Sequence, residues 1–201
     1  MGKQILISLG REFGSGGHKV AQGIARELGI EYYDKNILEK IFGDDPEVLK
    51  EMEEYDEKAA NSFLKRRVVG LSNSMEDELA EKEFEFVLEK AKAGESFIIV
   101  GRCGEFVLKE FDNHMSFFIL GDMKDKVARV MDRCNLDEDD ANDEIERIDK
   151  VRRKYHNSHT EKKWGEAQSY DMCINVSKLG IDGSVKLLVD YINQRMELVK
   201  D

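Results

Sequence analysis

Proline is nearly absent from this 201-residue chain, Pro46 being the single one. That scarcity argues against a linker-rich or disordered protein and suits long helices joined by short connections. Cysteine is also scarce. Cys103, Cys134 and Cys173 are odd in number, widely spaced and without a C-x-x-C pair, which argues against a disulfide framework or a zinc site and for reduced thiols in a cytosol. No run of about 18 apolar residues occurs, and the opening MGKQILISLG is too short for the apolar core of a signal peptide. A soluble, cytoplasmic protein with no membrane partner is expected. Positive charge is in the minority, with 31 Lys and Arg against 42 Asp and Glu, a net charge of −11. Such a field repels nucleic acid, so any polyanion must enter a local basic pocket.

What is present suits one α/β domain with a small insertion. The chain is 41% apolar, enough for a core, and 36% charged, as in a well-solvated, helix-rich surface. Short apolar runs read as strands over Gln4–Gly10, Ile30–Asp34, Phe97–Gly101, Met115–Gly121 and Met172–Val176. The run at Phe97 has no alternation, as expected of a strand buried on both faces. Helical spacing appears over Gly17–Leu28, Lys35–Phe42, Asp122–Arg133, Asp137–Tyr155 and Asp182–Val199. Several more helices are expected between Glu47 and Glu95, the last from about Met75 to Ala93. Strands alternating with helices imply parallel βαβ units, hence a three-layer α/β fold of about five strands with helices on both faces. Ligands of such sheets bind beyond the carboxyl ends of the strands. The loops after Gly10, Val100, Leu120 and Val176 therefore carry the functional weight.

The first of these loops is rich in glycine. ISLGREFGSGGHKVAQGIARELG reads as strand, turn and helix, with glycines at 14, 16 and 17. Glycine lets backbone N–H groups wrap a phosphate, and the following helix turns its N-terminal partial charge toward the anion. The dinucleotide pattern G-x-G-x-x-G fails because position 19 is lysine. The phosphate-loop pattern G-x-x-x-x-G-K-[ST] fits in position but not in letter. Glu12 stands for its first glycine, Gly17 matches the second, His18 replaces the lysine and Val20 the hydroxyl residue. Arg11, Lys19 or an arginine from another segment is left to supply the lysine's charge, with His18 a possible donor. Ser15 offers a hydroxyl to phosphate or simply serves the turn. A glycine-rich turn serving packing alone is the competing reading.

Other segments hold candidates of lower specificity. Arg147–Lys163 contains seven Lys and Arg against two acids, either a phosphate-facing surface or an exposed helix with paired charges. His156 and His159 lack a third ligand nearby and read as solvated, not metal-binding. DEDDANDE (Asp137–Glu144) lacks the glycine of a calcium loop and reads as an acidic helix start. Cys103 reads as a packing cysteine beside Arg102. Trp164 either stacks on a base or anchors its loop, and Asp34 reads as the cap of the helix beginning at Lys35.

SLGREFGSGG, GIEYYDKNIL, IIVGRCGEFVL and DKVRRKYHNSHTEKKWGEAQSYDMCINVSKLGIDG together resemble the cytidylate kinase-like family, a branch of the P-loop nucleoside monophosphate kinases. The resemblance spans essentially the whole chain. It implies a P-loop NTPase-type sheet core over 1–34, 95–152 and 170–201, a helical acceptor-binding insertion over about 35–94 and a lid over about 153–169. It implies ATP-dependent phosphoryl transfer to a small acceptor, foremost a nucleoside monophosphate such as CMP or dCMP. Gly14, Ser15, Gly16, Gly17, His18, Lys19 and Val20 would hold the donor phosphates, with Ser177 and Lys178 bordering the donor base. Gly101, Arg102, Cys103 and Asp34 would meet the acceptor. Arg11, Lys19, Arg102, Arg152 and Arg153, with Lys154 beside them, would supply the catalytic cations. ATP would come with Mg2+ held mainly by phosphates and water, since no acid ends the Phe97–Gly101 strand. Cys103 stands where cytidylate kinases carry an aspartate. The altered residues at 18, 20 and 103 leave open a nucleotide-binding module without transfer, or a kinase of another metabolite. The oligomeric state is not legible.

Overall fold

The computed structural model describes residues 3–34, 37–42 and 73–199. Five strands, β1 (Leu6–Arg11), β2 (Glu31–Tyr33), β3 (Phe97–Val100), β4 (His114–Leu120) and β5 (Met172–Asn175), form one sheet in the order β2-β3-β1-β4-β5. Every pairing is parallel, with Leu6 beside both Phe97 and His114. The three inner strands are buried almost throughout, which is why they read as unbroken apolar runs. The α/β parallel sheet is therefore as expected, with boundaries moved by one or two residues.

The helices are α1 (Gly17–Leu28), α2 (Ile37–Phe42), α3 (Asn73–Lys92), α4 (Gly104–Val107), α5 (Met123–Cys134), α6 (Glu138–His159) and α7 (Val176–Leu198). Val20, Ala21, Ile24 and Ala25 of α1 join Ile7, Leu9, Val185, Leu188 and Ile192 in the main core. Gly23 lets α1 approach α7 closely: a Cβ there would lie 2.6 Å from Val185 Cγ2. A second cluster joins Val127 and Val130 of α5 to Ala141 and Ile145 of α6, with Phe13 against it. The acidic run does start a helix, since Asp137 caps α6 by accepting the Asp140 N–H at 2.9 Å.

Two helices differ from expectation. α6 continues past Tyr155 to His159, where His159 stacks on Tyr155 at 4.4 Å and His156 is buried. The stretch expected as a lid is thus divided between the last turns of α6 and residues 160–169. α7 begins at Val176 and not at Asp182, because Asn175 caps it at Ser177 N; Gly180, at φ 71° and ψ 176°, breaks it.

The chain divides into two compact units, Met1–Tyr33 with Val87–Asp201, and Asp34–Phe86. In the second unit Ile37 N–H donates to Asp34 O at 3.1 Å as α2 begins. The helices expected between Glu47 and Ser72 lie outside the described residues. Among the described residues no helix is long and apolar enough to cross a membrane.

Candidate functional site

Because β3, β1 and β4 are neighbours, the turns after Val100, Arg11 and Leu120 lie side by side. The turn after Arg11 is the glycine loop. Gly14 and Gly16 are left-handed (φ 75° and 89°), and Gly16 precedes α1 without a side-chain cap. A helix N-terminus without a side-chain cap from the preceding residue is the kind of backbone feature that suits an anion. Added Cβ atoms would lie 2.9 Å from Lys126 O at Gly14, 2.5 Å from Ile181 Cδ1 at Gly16 and 2.6 Å from Arg11 Cβ at Gly17. All three positions require glycine. Ser15 is fully buried; its hydroxyl donates to Glu12 O at 2.8 Å and accepts from Gly17 N at 3.3 Å. It is a turn residue.

Val20 is corrected. Its side chain is wholly buried in the main core, so it does not face the loop. Counting the motif from Gly17 assigns the hydroxyl position to Lys19, which is exposed on α1. His18 is also exposed and turned toward β2: Tyr32 Oη lies 2.8 Å from its Nδ1, and Gln22 Nε2 lies 3.0 Å from its Nε2.

Three charged residues without a place in the sequence reading build the underside of the loop. Arg129 Nη1 donates to Gly14 O at 3.1 Å and Ser15 O at 3.3 Å, which orients those peptides from behind. Lys126, with a side chain 5% exposed, sits 3.2 Å from both Glu12 Oε2 and Asp149 Oδ2. Glu12 also accepts Gly121 N–H at 3.2 Å, and Asp149 Oδ1 accepts Phe13 N–H at 2.7 Å. The signal for Lys126 and Arg129 was present in DMKDKVARV, where the two stand three apart in a helix that opens just past a strand's carboxyl end. For Asp149 no local signal exists.

Arg152 Nη1 donates to Arg11 O at 3.1 Å, and its guanidinium lies 5.5 Å from the Phe13 ring. Arg11 itself reaches across: a Cβ on Gly101 would collide with Arg11 Nη1. Arg153 and Lys154 are exposed, with Arg153 5.5 Å over Trp164. Trp164 packs edge-on to Phe118 at 5.1 Å, and its N–H donates to Asn157 Oδ1. It anchors its loop to the sheet.

The turn after Val100 is left-handed at three successive residues, Gly101 (φ 77°), Arg102 (56°) and Cys103 (52°). Two of them carry side chains, a conformation that costs about 1 kcal/mol or more each and gathers at functional sites. Gly104 N–H closes the turn on Gly101 O at 3.1 Å. Cys103 is buried, as its packing reading requires. His156 is corrected: it is buried, and its Nε2 lies 2.5 Å from buried Glu105 Oε1. Asp34 follows β2 and belongs to the second unit.

At the far side, Ser177 Oγ accepts Asp122 N–H at 3.0 Å, and Lys178 Nζ donates to Asp122 Oδ2 at 2.5 Å. Lys178 and Asn175 together hold the Asp122 carboxyl below the usual range. Burial pushes the Tyr170 phenol well above its ordinary value; it packs against Phe118 beneath Gly165. Among the described residues no cluster of three or more His, Cys, Asp or Glu is placed to hold a metal.

The sequence matches the cytidylate kinase-like family over residues 6–178. Among solved structures, an uncharacterized protein from Eubacterium ventriosum ATCC 27560 is 36% identical at a TM-score of 0.75, covering 94% of this chain and 99% of its own. A gluconokinase from Sinorhizobium meliloti 1021 is 13% identical at a TM-score of 0.57, covering 98% and 96%. A shikimate kinase from Bacteroides thetaiotaomicron is 14% identical at a TM-score of 0.52, covering 94% and 98%. At those two identities the likeness is one of fold. No curated protein matches the chain.

Proposed function

This chain belongs to the cytidylate kinase-like family, a kinase-like phosphotransferase by family and fold, and from that premise we propose that it transfers the γ-phosphoryl group of ATP to a nucleoside monophosphate such as CMP or dCMP. One observation carries the reading. Arg11 packs its Cβ under Gly17 and reaches its guanidinium to Gly101, so a single cation spans the glycine loop and the left-handed turn. Phosphoryl transfer is mostly positioning and charge stabilisation, and the transferring group passes between a donor loop and an acceptor. Arg11 takes the role of the lysine that His18 replaces.

The glycine-loop amides and the α1 terminus hold the donor phosphates, with Arg129 fixing the loop carbonyls from behind. Arg102 grips the acceptor phosphate or base. Arg152 and Arg153 bring further positive charge to the transferring group, and excluding water there suppresses ATP hydrolysis. Mg2+ brought in with ATP would supply charge neutralisation of the phosphates. Glu12 and Asp149 are engaged by Lys126, so the ion would be held mainly by phosphates and water.

A second reading, a nucleotide-binding module without transfer, is favoured by the engagement of His18 with Tyr32 and Gln22. Both readings give ATP binding, and only the first gives ADP. The test is ADP formation from Mg-ATP against a panel of nucleoside monophosphates, with Arg102→Ala and Arg11→Met alongside. Turnover with one acceptor, lowered about a hundredfold or more by each variant, is the expected result. ATP binding with no turnover on any acceptor supports the second reading.

A further inference from the structure

α6 presents Ile145, Asp149, Arg152 and His156 at spacings of four, three and four, which is one face of a helix. Each meets a different part of the body. Ile145 packs with α5 in the second apolar cluster. Asp149 takes the Phe13 N–H of the glycine loop at 2.7 Å. Arg152 donates to Arg11 O at 3.1 Å. His156 pairs with Glu105, one residue into the helix that follows the left-handed turn. His156 stands seven positions after Asp149, about 10 Å along the helix at 1.5 Å per residue. The same helix face thus holds the donor loop at one end and the segment after Arg102 at the other.

We propose that the buried Glu105–His156 pair is a positioning latch that fixes the Gly101–Cys103 turn at a set distance from the glycine loop, with α6 as the spacer. The side chains of the pair are 4% and 5% exposed, a costly place for a polar pair unless its geometry is used. Thr160 Oγ1 and Asn157 Oδ1 lie 3.3 Å and 3.2 Å from His156 Nδ1, which orients the ring toward Glu105. The turn that the latch holds has two non-glycine left-handed residues, and such a conformation persists only when its surroundings over-determine it. Gly104 packs against Ile99 and Ser8 from below, while Glu105 is tied from above. Loss of the pair frees Arg102 to leave the turn geometry from which it would meet the acceptor. Neither residue touches substrate; both act through Arg102.

The proposal rests on the kinase reading for its activity arm only. Glu105→Ala, Glu105→Gln and His156→Ala are compared for kcat, acceptor KM, ATP Kd and amide hydrogen exchange. In Glu105→Ala and His156→Ala, kcat/KM for the acceptor falls about tenfold or more while ATP Kd stays within about twofold. Glu105→Gln still accepts a hydrogen bond from His156 and recovers most of the loss. Exchange in 101–107 and 152–160 quickens together in both alanine variants, with β4 unaffected. ATP Kd weakening in step with the rate, or no rescue by glutamine, overturns the latch in favour of general loosening. Where the alanine variants do not fold, His156→Gln with Glu105→Gln serves the same comparison. Where the wild type transfers no phosphoryl group, the kinase reading fails and the exchange arm decides alone: joint quickening upholds the latch, and quickening of 101–107 by itself ends it.

Discussion

Gly14 and Gly101 are glycines at which one added methyl group would meet both a left-handed backbone and a close neighbour. Gly14 combines a φ of 75° with a would-be Cβ 2.9 Å from the backbone oxygen of Lys126, which cannot swing aside. Gly14→Ala is expected to destabilise the protein by about 1–3 kcal/mol and, on the proposed kinase reading, to weaken ATP binding about tenfold as the loop amides turn away. Urea midpoints and a nucleotide titration check both. At this scale the sequence was informative where backbone conformation dictates residue type: the glycines stood out because their left-handed turns admit little else. It misled where side-chain direction decides. Val20 sat next to the motif yet points into the core, and His156 looked solvated yet is buried against Glu105.

α5 and α6 carry the charges that shape the glycine loop. Lys126 offsets two carboxylates, Glu12 from the loop and Asp149 from α6, all in a region largely closed to water. Removing the cation leaves both acids facing each other at low dielectric. Lys126→Met is expected to cost about 3 kcal/mol or more by chemical denaturation, and adding Asp149→Asn to recover part of it. Arg152 lies 3.8 Å from Asp149 and supplies what compensation remains in the single variant. The existence of α5 and α6 was legible from helical spacing and from the acidic start at Asp137. Their partners were not, because a charged residue on a helix reads as solvated until another element covers it. The extension of α6 to His159 follows the same logic, since packing of His156 against Glu105 continues what propensity alone left ambiguous.

Across the whole molecule, one half-buried base, His114, links folding to pH. His114, at the start of β4, lies with its Nε2 2.8 Å from Ser8 Oγ, and burial lowers its pKa from 6.5 to about 4, partly opposed by Asp171 and Glu105. The folded state therefore binds fewer protons than the unfolded state between those values. Stability is full above about pH 6.5 and falls as pH drops toward 4, by as much as about 3 kcal/mol from this group. Denaturation midpoints across that window test it, and His114→Gln is expected to flatten the acid limb. The sheet order brings His114 beside Leu6 of β1 and makes this coupling.

The sequence by itself determined the parallel sheet, the glycine loop, the Gly-Arg turn and the kinase-like family. Apolar runs, left-handed turns and strand–helix alternation are local properties that a linear chain records. Only the tertiary structure decided which cation spans loop and turn, how Lys126 and Arg129 support the loop, and that Glu105 meets His156. Those contacts join residues dozens to more than a hundred positions apart, and they form only once the parallel strands bring the ends of β1, β3 and β4 together.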